Sequence, residues 1–528
     1  MARSFYPDPQ RRAVLGALAA LPCLGLPRIL AADDQAPDLG PAEPFDFNRL
    51  IERARELSQR DHSPVQPKAP ELLDRIGYDE QQRIQYRPSA EINAGGHYGV
   101  RAFHLGSYAQ EPVVLHLVED GQARRIQYDR RLFAYDEVQV SSELPPDLGF
   151  SGFRIMHPDG ARDWMAYQGA SYFRSAGPLD QYGLSARGIA IDTAYPGGSE
   201  EFPRFTTFWV ELSGETVIIY ALLDGPSVTG AYRFDCRKGG EAITQDVRAE
   251  IFQRDSVERL GIAPLTSMYW YAEQERGPDW RPEIHDSDGL AMWTGSGERI
   301  WRPLNNPPSL QVNSYLDENP RGFGLLQRDR RFANYQDDGV WYNRRPSVWV
   351  EPKGDWGRGR VQLFELPTDD ETHDNINCYW VPEESAEAGR QWRFDYRLHW
   401  VDEEPYKPES VGSVRATRLG RSGVPGQSDS TDPNGCKFVI DFEGGPLGEL
   451  EQRYDVDVVV EVSAGEVQNP YALKVVDSPY WRGVFDLILG PRTEGPINLR
   501  CYLRLDGRTL TETWQYQYFP EQHNHRTA

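Results

Sequence analysis

The stretch Phe205–Phe234, which reads FTTFWVELSGETVIIYALLDGPSVTGAYRF, decides the fold class of this chain. It contains three runs that are rich in β-branched and aromatic residues: Phe205–Glu211, Thr216–Leu223 and Gly230–Phe234. Short segments with Gly, Ser, Asp and Pro separate these runs, as they do between strands that are joined by tight turns. The stretch therefore predicts consecutive β-hairpins.

The rest of the chain follows the same pattern. Comparable runs occur at Pro112–Val118, Ser347–Val350 and Gln391–Trp400. Convincing helical periodicity is confined to one place, where the apolar residues predict a short amphipathic helix: Phe47, Leu50, Ile51, Ala54 and Leu57. With 48 Gly and 40 Pro in 528 residues, turn formers are abundant. The predicted fold class is all-β.

The length predicts more than one domain, because a single core stops growing at roughly 250–300 residues. A charged segment with two prolines, residues 401–412, follows the strand run that ends at Trp400 and predicts a domain boundary. We expect a large, many-stranded β-sandwich over residues 40–403. Short strand-like runs then recur over residues 411–522, which is typical of an immunoglobulin-like sandwich: Lys437–Phe442, Asp455–Val462, Ala472–Val476, Val484–Leu489, Asn498–Leu505 and Glu512–Phe519.

The N-terminus predicts export. Arg11 and Arg12 precede the apolar stretch 13–26, and Ala31-Ala32 supplies small residues for cleavage. Residues 1–32 are therefore predicted to be a signal peptide of the twin-arginine type, with an ordinary secretory signal as the alternative. No later apolar run reaches the roughly 20 residues that span a bilayer, so the mature protein is expected to be soluble.

The remaining cysteines, Cys236, Cys378, Cys436 and Cys501, are too widely spaced for a zinc site or a compact disulfide scaffold. An oxidising compartment permits a bridge between Cys436 and Cys501 but does not require one. We expect four unpaired, mostly buried thiols.

The charge of the chain excludes some partners. The formal net charge is -23, so nucleic acid would be repelled and an anionic membrane surface is disfavoured. A neutral or weakly charged partner fits better. Aromatic residues make up 12% of the chain, with 14 Trp and 27 Tyr. Packing alone rarely needs so many, so some of these rings are expected in a binding groove.

Two short carboxylate clusters carry the functional signal. Ile284–Asp288 and Glu371–Asn375 each place acidic side chains beside a histidine. The segment between them is dense in Trp and Tyr: Trp293, Trp301, Tyr315, Tyr335, Trp341, Tyr342, Trp349 and Trp356. Carboxylates supply acid and base while flat rings stack on sugars, so this pairing predicts a cleft that cleaves glycosidic bonds. For each cluster alone, the alternative is a solvated turn whose aspartates cap backbone amides.

Other chemistries have weaker support. His285, Asp286 and Asp288 are candidate ligands for a cation, with His373 and Asp374 completing the shell, but neither helical zinc spacing nor a calcium loop is present. No Gly-x-Ser-x-Gly elbow and no glycine-rich phosphate signature occurs. We therefore predict neither a metal nor a cofactor.

Several longer strings along the chain match one known family. They are Asp147–Phe153, Gly169–Arg174, Gln181–Gly188, Glu201–Pro203, Gly261–Met268, Ile284–Asp288, Arg302–Pro307, Pro320–Gln327 and Arg345–Pro352, with a weaker match at Gln515–Pro520. In these strings the chain resembles the periplasmic glucan biosynthesis protein G/D family, and its D branch more closely. The twin-arginine signal fits that branch.

The resemblance implies a large N-terminal β-sandwich, like those of sugar mutarotases and polysaccharide lyases, followed by a small immunoglobulin-like domain. It also implies a periplasmic role in making osmoregulated glucans and an inverting endo-β-1,2-glucanase activity. By the same resemblance, Asp374 is the general acid, Asp286 is the base, and Glu371 lies beside the acid in a polar relay. The implied partners are β-1,2-glucan and a membrane glucan synthase, and a homodimer is left open.

Inversion sets requirements that are independent of the family. The acid must keep its proton near neutral pH, so burial or a nearby carboxylate must raise its pKa. Glu371, three residues from Asp374, is expected to supply that repulsion. The expected sugar contacts are aromatic or hydrogen-bonding side chains: Trp293, Trp301, Tyr335, Tyr342, Arg345 and His285.

Two alternatives to a hydrolase remain. The first is a non-catalytic glucan-binding or scaffolding protein that controls backbone structure or branching alongside a membrane synthase. The second is a lyase, which rests on analogy of fold alone.

Overall fold

The computed structural model describes residues 36–93, 97–275, 277–407, 409–424, 426–427, 431–490, 493 and 495–522. The predicted signal peptide, residues 1–32, lies outside these ranges. Strands hold 48% of the residues and helices 9%, so the all-β prediction is confirmed. Among the described residues, no helix is both long enough and apolar enough to cross a membrane.

The strands follow one another along the whole described chain. In chain order they are β1 (Leu39–Pro44), β2 (Ile84–Tyr86), β3 (Gly99–His104), β4 (Val114–Glu119), β5 (Gln122–Ile126), β6 (Phe133–Tyr135), β7 (Phe150–Met156), β8 (Asp163–Gln168), β9 (Tyr172–Ser175), β10 (Ser185–Arg187), β11 (Ile189–Ile191), β12 (Arg204–Ser213), β13 (Thr216–Asp224), β14 (Val228–Lys238), β15 (Ala242–Gln253), β16 (Leu260–Ser267), β17 (Tyr269–Tyr271), β18 (Ile284–His285), β19 (Gly289–Trp293), β20 (Arg299–Pro303), β21 (Gln311–Glu318), β22 (Gly322–Leu326), β23 (Ser347–Lys353), β24 (Arg358–Glu365), β25 (Ile376–Pro382), β26 (Gln391–Val401), β27 (Ser413–Arg421), β28 (Gly435–Glu443), β29 (Asp457–Val462), β30 (Glu466–Lys474), β31 (Trp481–Ile488), β32 (Ile497–Leu505), β33 (Arg508–Thr509) and β34 (Thr513–Tyr518).

The helices are few and short. The α-helices are α1 (Phe47–Ser58), α2 (Pro70–Leu73), α3 (Tyr78–Arg83) and α4 (Phe332–Tyr335). Single 3₁₀ turns lie at Pro88–Ala90, Arg130–Leu132, Gln139–Ser142, Tyr342–Arg344 and Gly445–Gly448.

The stretch 205–234 forms the predicted hairpins. It spans most of β12, all of β13 and the first part of β14, which pair antiparallel with Ala221 opposite both Phe208 and Tyr232. Gly214 turns the chain between β12 and β13 with a φ of 58°, a conformation that glycine adopts without a steric cost. Burial alternates at the start of β12 and β13, and both faces of each strand are buried in the middle.

Two large sheets enclose the main core. The first runs β1-β5-β4-β12-β13-β14-β15-β26-β23-β22-β19-β20-β34-β32-β29, with β33 beside β32, and the second runs β21-β24-β25-β16-β10-β9-β8-β7-β3, with β11 beside β16. Their aromatic side chains meet: ring centroids are 5.1 Å apart for Phe153 and Phe208 and 5.5 Å apart for Tyr167 and Phe234. Buried residues from both sheets form one hydrophobic cluster.

The predicted helix near the N-terminus is confirmed as α1. Asp46 caps it by accepting a hydrogen bond from the backbone N–H of Arg49 at 3.0 Å. Its apolar face, which includes Leu50 and Ala54, is buried against Trp209 and other residues on the outer face of the first sheet.

The strands after residue 412 are divided between two sheets. β27, β28, β31 and β30 form a separate four-stranded sheet, whereas β34, β32 and β29 extend the first large sheet. The junction is a parallel pair of β20 and β34, in which Ile300 lies opposite Thr513 and Trp301 opposite Trp514. The predicted boundary at residues 403–411 falls between β26 and β27, and the division into two domains stays a prediction.

The junction has a hydrophobic cluster of its own. Trp301 and Trp349 pack there with buried residues of the later strands, among them Phe438, Trp481 and Trp514. The four cysteines in the described part of the chain are free and buried, as expected. Burial raises the pKa of each thiol, to about 12 for Cys236 and Cys436.

Candidate functional site

Both carboxylate clusters are fastened to the same short segment of backbone. The backbone N–H of Asp286 donates to the carbonyl of Met268 at 2.8 Å. Asn375 binds the next residue twice: its Oδ1 accepts from the N–H of Tyr269 at 2.8 Å and its Nδ2 donates to the Tyr269 carbonyl at 2.9 Å. The end of β16 and the start of β17 therefore hold Asp286 and Asp374 at one site.

Asp286 is held in a buried ion pair. The Nη1 of Arg345 donates to its Oδ1, and the two side chains are only 7% and 6% exposed. The Arg345 guanidinium also lies over the ring of Tyr342, 4.0 Å from the centroid. Burial by itself would lower the pKa of Arg345, but the nearby Asp286 and Tyr342 raise it overall. A buried arginine that keeps its charge gives Asp286 a fixed cationic partner.

Asp374 has a different environment. It forms a long ion pair with Arg174, whose Nη2 lies 4.0 Å from Oδ2. That oxygen is buried and makes no hydrogen bond to any described residue. Burial raises the pKa of Asp374 to about 6, and the negative charge of Asp286 adds to the shift, while Arg174 and Arg345 oppose it. The result is a carboxyl group that holds its proton at mildly acidic pH and can donate it.

Arg174 is shared between the strand framework and the site. Its Nε donates to the Oγ of Ser185 at 2.6 Å, which ties β9 to β10. Burial lowers the pKa of Arg174, and the charges of Asp374 and Asp286 counteract this. Asp374 also lines a narrow polar cleft, together with Tyr172, Arg187, Glu200, Phe202, Thr266 and Asn377.

Glu371 is ion-paired with an arginine. Arg281 donates to both of its carboxylate oxygens, at 2.8 and 2.9 Å, and the hydroxyl of Tyr342 donates to Oε2 at 2.5 Å. Arg281 also binds Asp337 at 2.6 Å and Asp279 at 2.6 Å. The expectation that Glu371 raises the pKa of Asp374 therefore differs from what the structure shows, since burial and Asp286 are the causes that act there.

Tyr342 joins the two clusters. Its hydroxyl binds Glu371 and its ring lies beneath Arg345, which in turn binds Asp286. The preceding residue, Trp341, has a φ of 52°, in the left-handed region that is uncommon for a bulky side chain. Strained backbone of this kind clusters at functional sites, and here it starts the turn that positions Tyr342 and Arg345.

The other predicted sugar contacts lie elsewhere. His285 is fully buried between Glu283, at 3.1 Å, and Gln327, at 2.9 Å. Tyr335 is fully buried beneath the site, and Trp301 is covered by the guanidinium of Arg328 at 3.7 Å. These three side chains are enclosed by protein and present no free face to a ligand.

Two more observations concern the predicted residues: Trp293 lies outside the carboxylate site, and the candidate metal ligands do not form a metal site. Trp293 lies at the far end of β19 and lines a separate cavity. Both histidines that were considered as metal ligands have other partners: His285 binds Glu283 and Gln327, and His373 binds Asp370 at 3.0 Å. In the described part of the chain, no group of three or more His, Cys, Asp or Glu side chains is arranged to hold a metal ion.

Sequence reasoning missed the partners of the carboxylates. Arg174 belongs to the polar-aromatic string Gly169–Arg174, which marked the segment as a candidate. Nothing in the string indicated that Arg174 would lie beside Asp374. Arg281 is a single arginine in a loop, and no pattern of spacing marks it.

The raised pKa of Asp374 predicts a pH-dependent effect on stability. The pKa in the folded chain, about 6, lies above the ordinary 3.8, so folding is penalised once the carboxyl ionises. This penalty is absent below pH 3.8, grows between pH 3.8 and 6, and reaches about 3 kcal/mol above pH 6. Asp374→Asn removes it, so the variant should exceed the parent in free energy of unfolding by about that amount at pH 8 and by nothing near pH 4.

Denaturant unfolding at a series of pH values measures the difference. Asp369→Asn, an exposed aspartate in the same loop, is the matched control and should show no such trend. A variant that is equally stable relative to the parent at pH 4 and pH 8 would contradict the electrostatic account of Asp374.

The sequence matches one family model over nearly its whole length. The model is described as periplasmic glucan biosynthesis protein, MdoG, and it matches residues 45–518. Among curated proteins, the chain is 46% identical to glucans biosynthesis protein D 2 of Ralstonia nicotianae, over 96% of each chain. It is 44% identical to glucans biosynthesis protein D of Stenotrophomonas maltophilia and 45% identical to that of Xanthomonas oryzae pv. oryzae, in both cases over 97% of this chain and 98% of the relative.

Similarities to solved structures are much weaker. A GH36 alpha-galactosidase from Geobacillus stearothermophilus matches with a TM-score of 0.26 and 9% identity, over 48% of this chain and 40% of that one. A galactose mutarotase related enzyme from Lactobacillus acidophilus matches with a TM-score of 0.22 and 10% identity, over 47% of this chain and 94% of that one. At these scores the comparison carries no argument about the fold, and the mutarotase-like description stays a prediction.

Proposed function

Because the chain belongs to the family of periplasmic glucan biosynthesis proteins, MdoG, we propose that it acts in the periplasm as an inverting endo-β-1,2-glucanase on the backbone of osmoregulated glucan. The observation that carries the proposal is the unequal pair of carboxylates. Asp286 is ion-paired with Arg345, while Asp374 is buried and its pKa is raised to about 6. Two acidic groups in such different environments are suited to the separate roles of base and acid.

The proposed reaction uses both groups on opposite faces of one sugar. Asp374, in its protonated form, donates its proton to the glycosidic oxygen as the bond from that oxygen to the anomeric carbon breaks. Asp286 takes a proton from a water molecule, whose oxygen forms the new bond to the anomeric carbon. The water has replaced the leaving sugar, and the configuration is inverted. Exchange with solvent then returns the proton from Asp286 to Asp374.

The neighbouring residues position this pair. Arg345 fixes the orientation of Asp286, and Tyr342 supports the Arg345 guanidinium from below. Glu371, bound by Arg281 and Tyr342, is the proposed polar relay beside the acid. One oxygen of the acid, Oδ2, is buried and makes no hydrogen bond to any described residue.

The substrate class follows from charge and family. The chain has a net charge of -23, which favours a neutral polymer over an anionic one. The family and the relatives named glucans biosynthesis protein D support a glucan. A membrane glucan synthase remains the proposed source of that glucan.

The second candidate, a non-catalytic glucan-binding protein, also has an observation in its favour. Both carboxylates lie near buried arginines, with Asp286 paired to Arg345 and Asp374 at 4.0 Å from Arg174. Pairs of this kind also occur as purely structural elements of a buried network. In a non-catalytic protein, these carboxylates and arginines would form a rigid polar wall of a binding groove.

Product analysis on linear β-1,2-glucan tests the proposal. We expect new reducing ends, with the α-anomer appearing first in proton NMR because inversion converts a β-linkage into an α-hemiacetal. A product that absorbs in the ultraviolet would point to a lyase. Binding in calorimetry without new reducing ends would favour the non-catalytic alternative, and either result would overturn the hydrolase.

A further inference from the structure

A second cavity lies at the junction between the early and late strands of the first sheet. Its volume is about 500 Å³, and its lining comes from β19, β20, β32, β33 and β34, from Arg321 beside β22, and from residues 410–411. Trp293 follows Asp286 by seven residues in the sequence, so the two lie at most about 25 Å apart. The cavity shares no lining residue with the cleft at Asp374 and is therefore distinct from it.

Most of the charged groups at this cavity are paired. Arg500 donates to Glu298 at 2.8 Å, and the hydroxyl of Thr513 donates to the same carboxylate at 2.7 Å. Arg299 donates to Glu404 at 2.7 Å. Each guanidinium still has N–H groups to spare, and each carboxylate has lone pairs to spare. The lining thus offers both donors and acceptors without a large net charge, which suits a neutral ligand with many hydroxyls.

Aromatic rings and hydroxyls complete the lining. Trp293 is fixed in place by the Arg299 guanidinium, 3.6 Å from the ring centroid, and Tyr502 contributes a half-buried ring from β32. Arg321 is exposed at the cavity wall, lies 5.3 Å from the Trp293 centroid and donates to the carbonyl of Gly295 at 3.3 Å. Flat rings beside forked polar groups are the combination that binds a sugar, and the volume is in the usual range for small-molecule sites.

We propose that this junction cavity is a second binding site for a neutral oligosaccharide, where a remote segment of the same glucan chain is held. The identity of the glucan rests on the proposed function, whereas the cavity and its chemistry do not. Two sites on one protein raise the affinity only for polymers long enough to occupy both, because the second contact becomes intramolecular. A glucan too short to reach from one site to the other gains no affinity from the second site.

Binding measurements on a non-hydrolysing parent, Asp374→Asn, test the inference. Arg321→Ala and Tyr502→Ala are introduced separately, and calorimetry is run with β-1,2-glucan of about twenty glucose units and with the β-1,2-linked tetrasaccharide. We expect each variant to lose about tenfold or more in affinity for the long glucan and nothing for the tetrasaccharide. Arg358→Ala, which removes an exposed arginine from β24, is the matched control and should change neither.

The possible results separate this inference from the proposed function. Equal losses for both chain lengths, or no loss for the long glucan, would overturn the second site whatever the hydrolysis assay gives. Inorganic phosphate that binds the parent and is lost in Arg321→Ala would overturn the neutral ligand. A wild-type chain that produces no reducing ends, with the length-dependent losses intact, would refute the hydrolase but support the second site.

Discussion

Asp374→Asn should lower kcat on linear β-1,2-glucan by about 10²- to 10⁴-fold, because asparagine has no acidic proton to give to the departing glycosidic oxygen. Asp286→Asn should have an effect of similar size, since the attacking water then has no base. The substrate is still bound, so KM should change little in either variant. New reducing ends, counted under saturating glucan, provide the measurement.

The control makes the same change of charge at a residue outside the site. Asp369→Asn alters an exposed aspartate in the same loop as Asp374 and should retain the parent rate. The parent rate should also fall as pH rises through about 6, because Asp374 then loses the proton that it donates. Full activity in Asp374→Asn, or a rate that climbs through this pH range, would refute its role as the acid.

Arg345→Met should destabilise the chain by about 3–5 kcal/mol, because it leaves the Asp286 carboxylate buried without its partner. Methionine replaces much of the volume of the arginine stem, so the loss of charge pairing dominates over the loss of packing. The free energy of unfolding, from denaturant titration at pH 7, gives the size of the effect.

A double variant shows whether the cost is electrostatic. Arg345→Met combined with Asp286→Asn removes the stranded charge and should recover most of the lost stability, while activity stays absent. Arg358→Met breaks an exposed pair with Glu383 and should cost less than about 1 kcal/mol. If Arg345→Met is no more destabilising than Arg358→Met, the ion pair does not hold Asp286 as described.

The secondary structure was predictable where its signals are local. The hairpins of residues 205–234 and the helix α1 follow from the spacing of apolar residues and from the turn formers between them. The parallel pairing of β20 with β34 was not predictable. It joins residues that are more than 200 positions apart, and nothing in either short strand specifies its neighbour.

The candidate site was predictable in its carboxylates but not in their surroundings. Asp286 and Asp374 stand in compact motifs, whereas Arg174 reaches Asp374, and Arg281 reaches Glu371, only in the folded chain. The expected sugar contacts Trp301 and Tyr335 are buried because aromatic residues fill cores as readily as they line grooves. Composition alone does not distinguish the two uses.

The parallel pair of β20 and β34 has a consequence for the history of the protein. A chain cut in the 403–411 segment would leave β20 with an open edge, and such edges invite aggregation. Recombination at that point would therefore break a sheet instead of transferring a module, so the late strands are unsuited to shuffling between proteins. The early and late strands are then expected to be inherited together. The relatives agree with this, because they match over 96–97% of this chain.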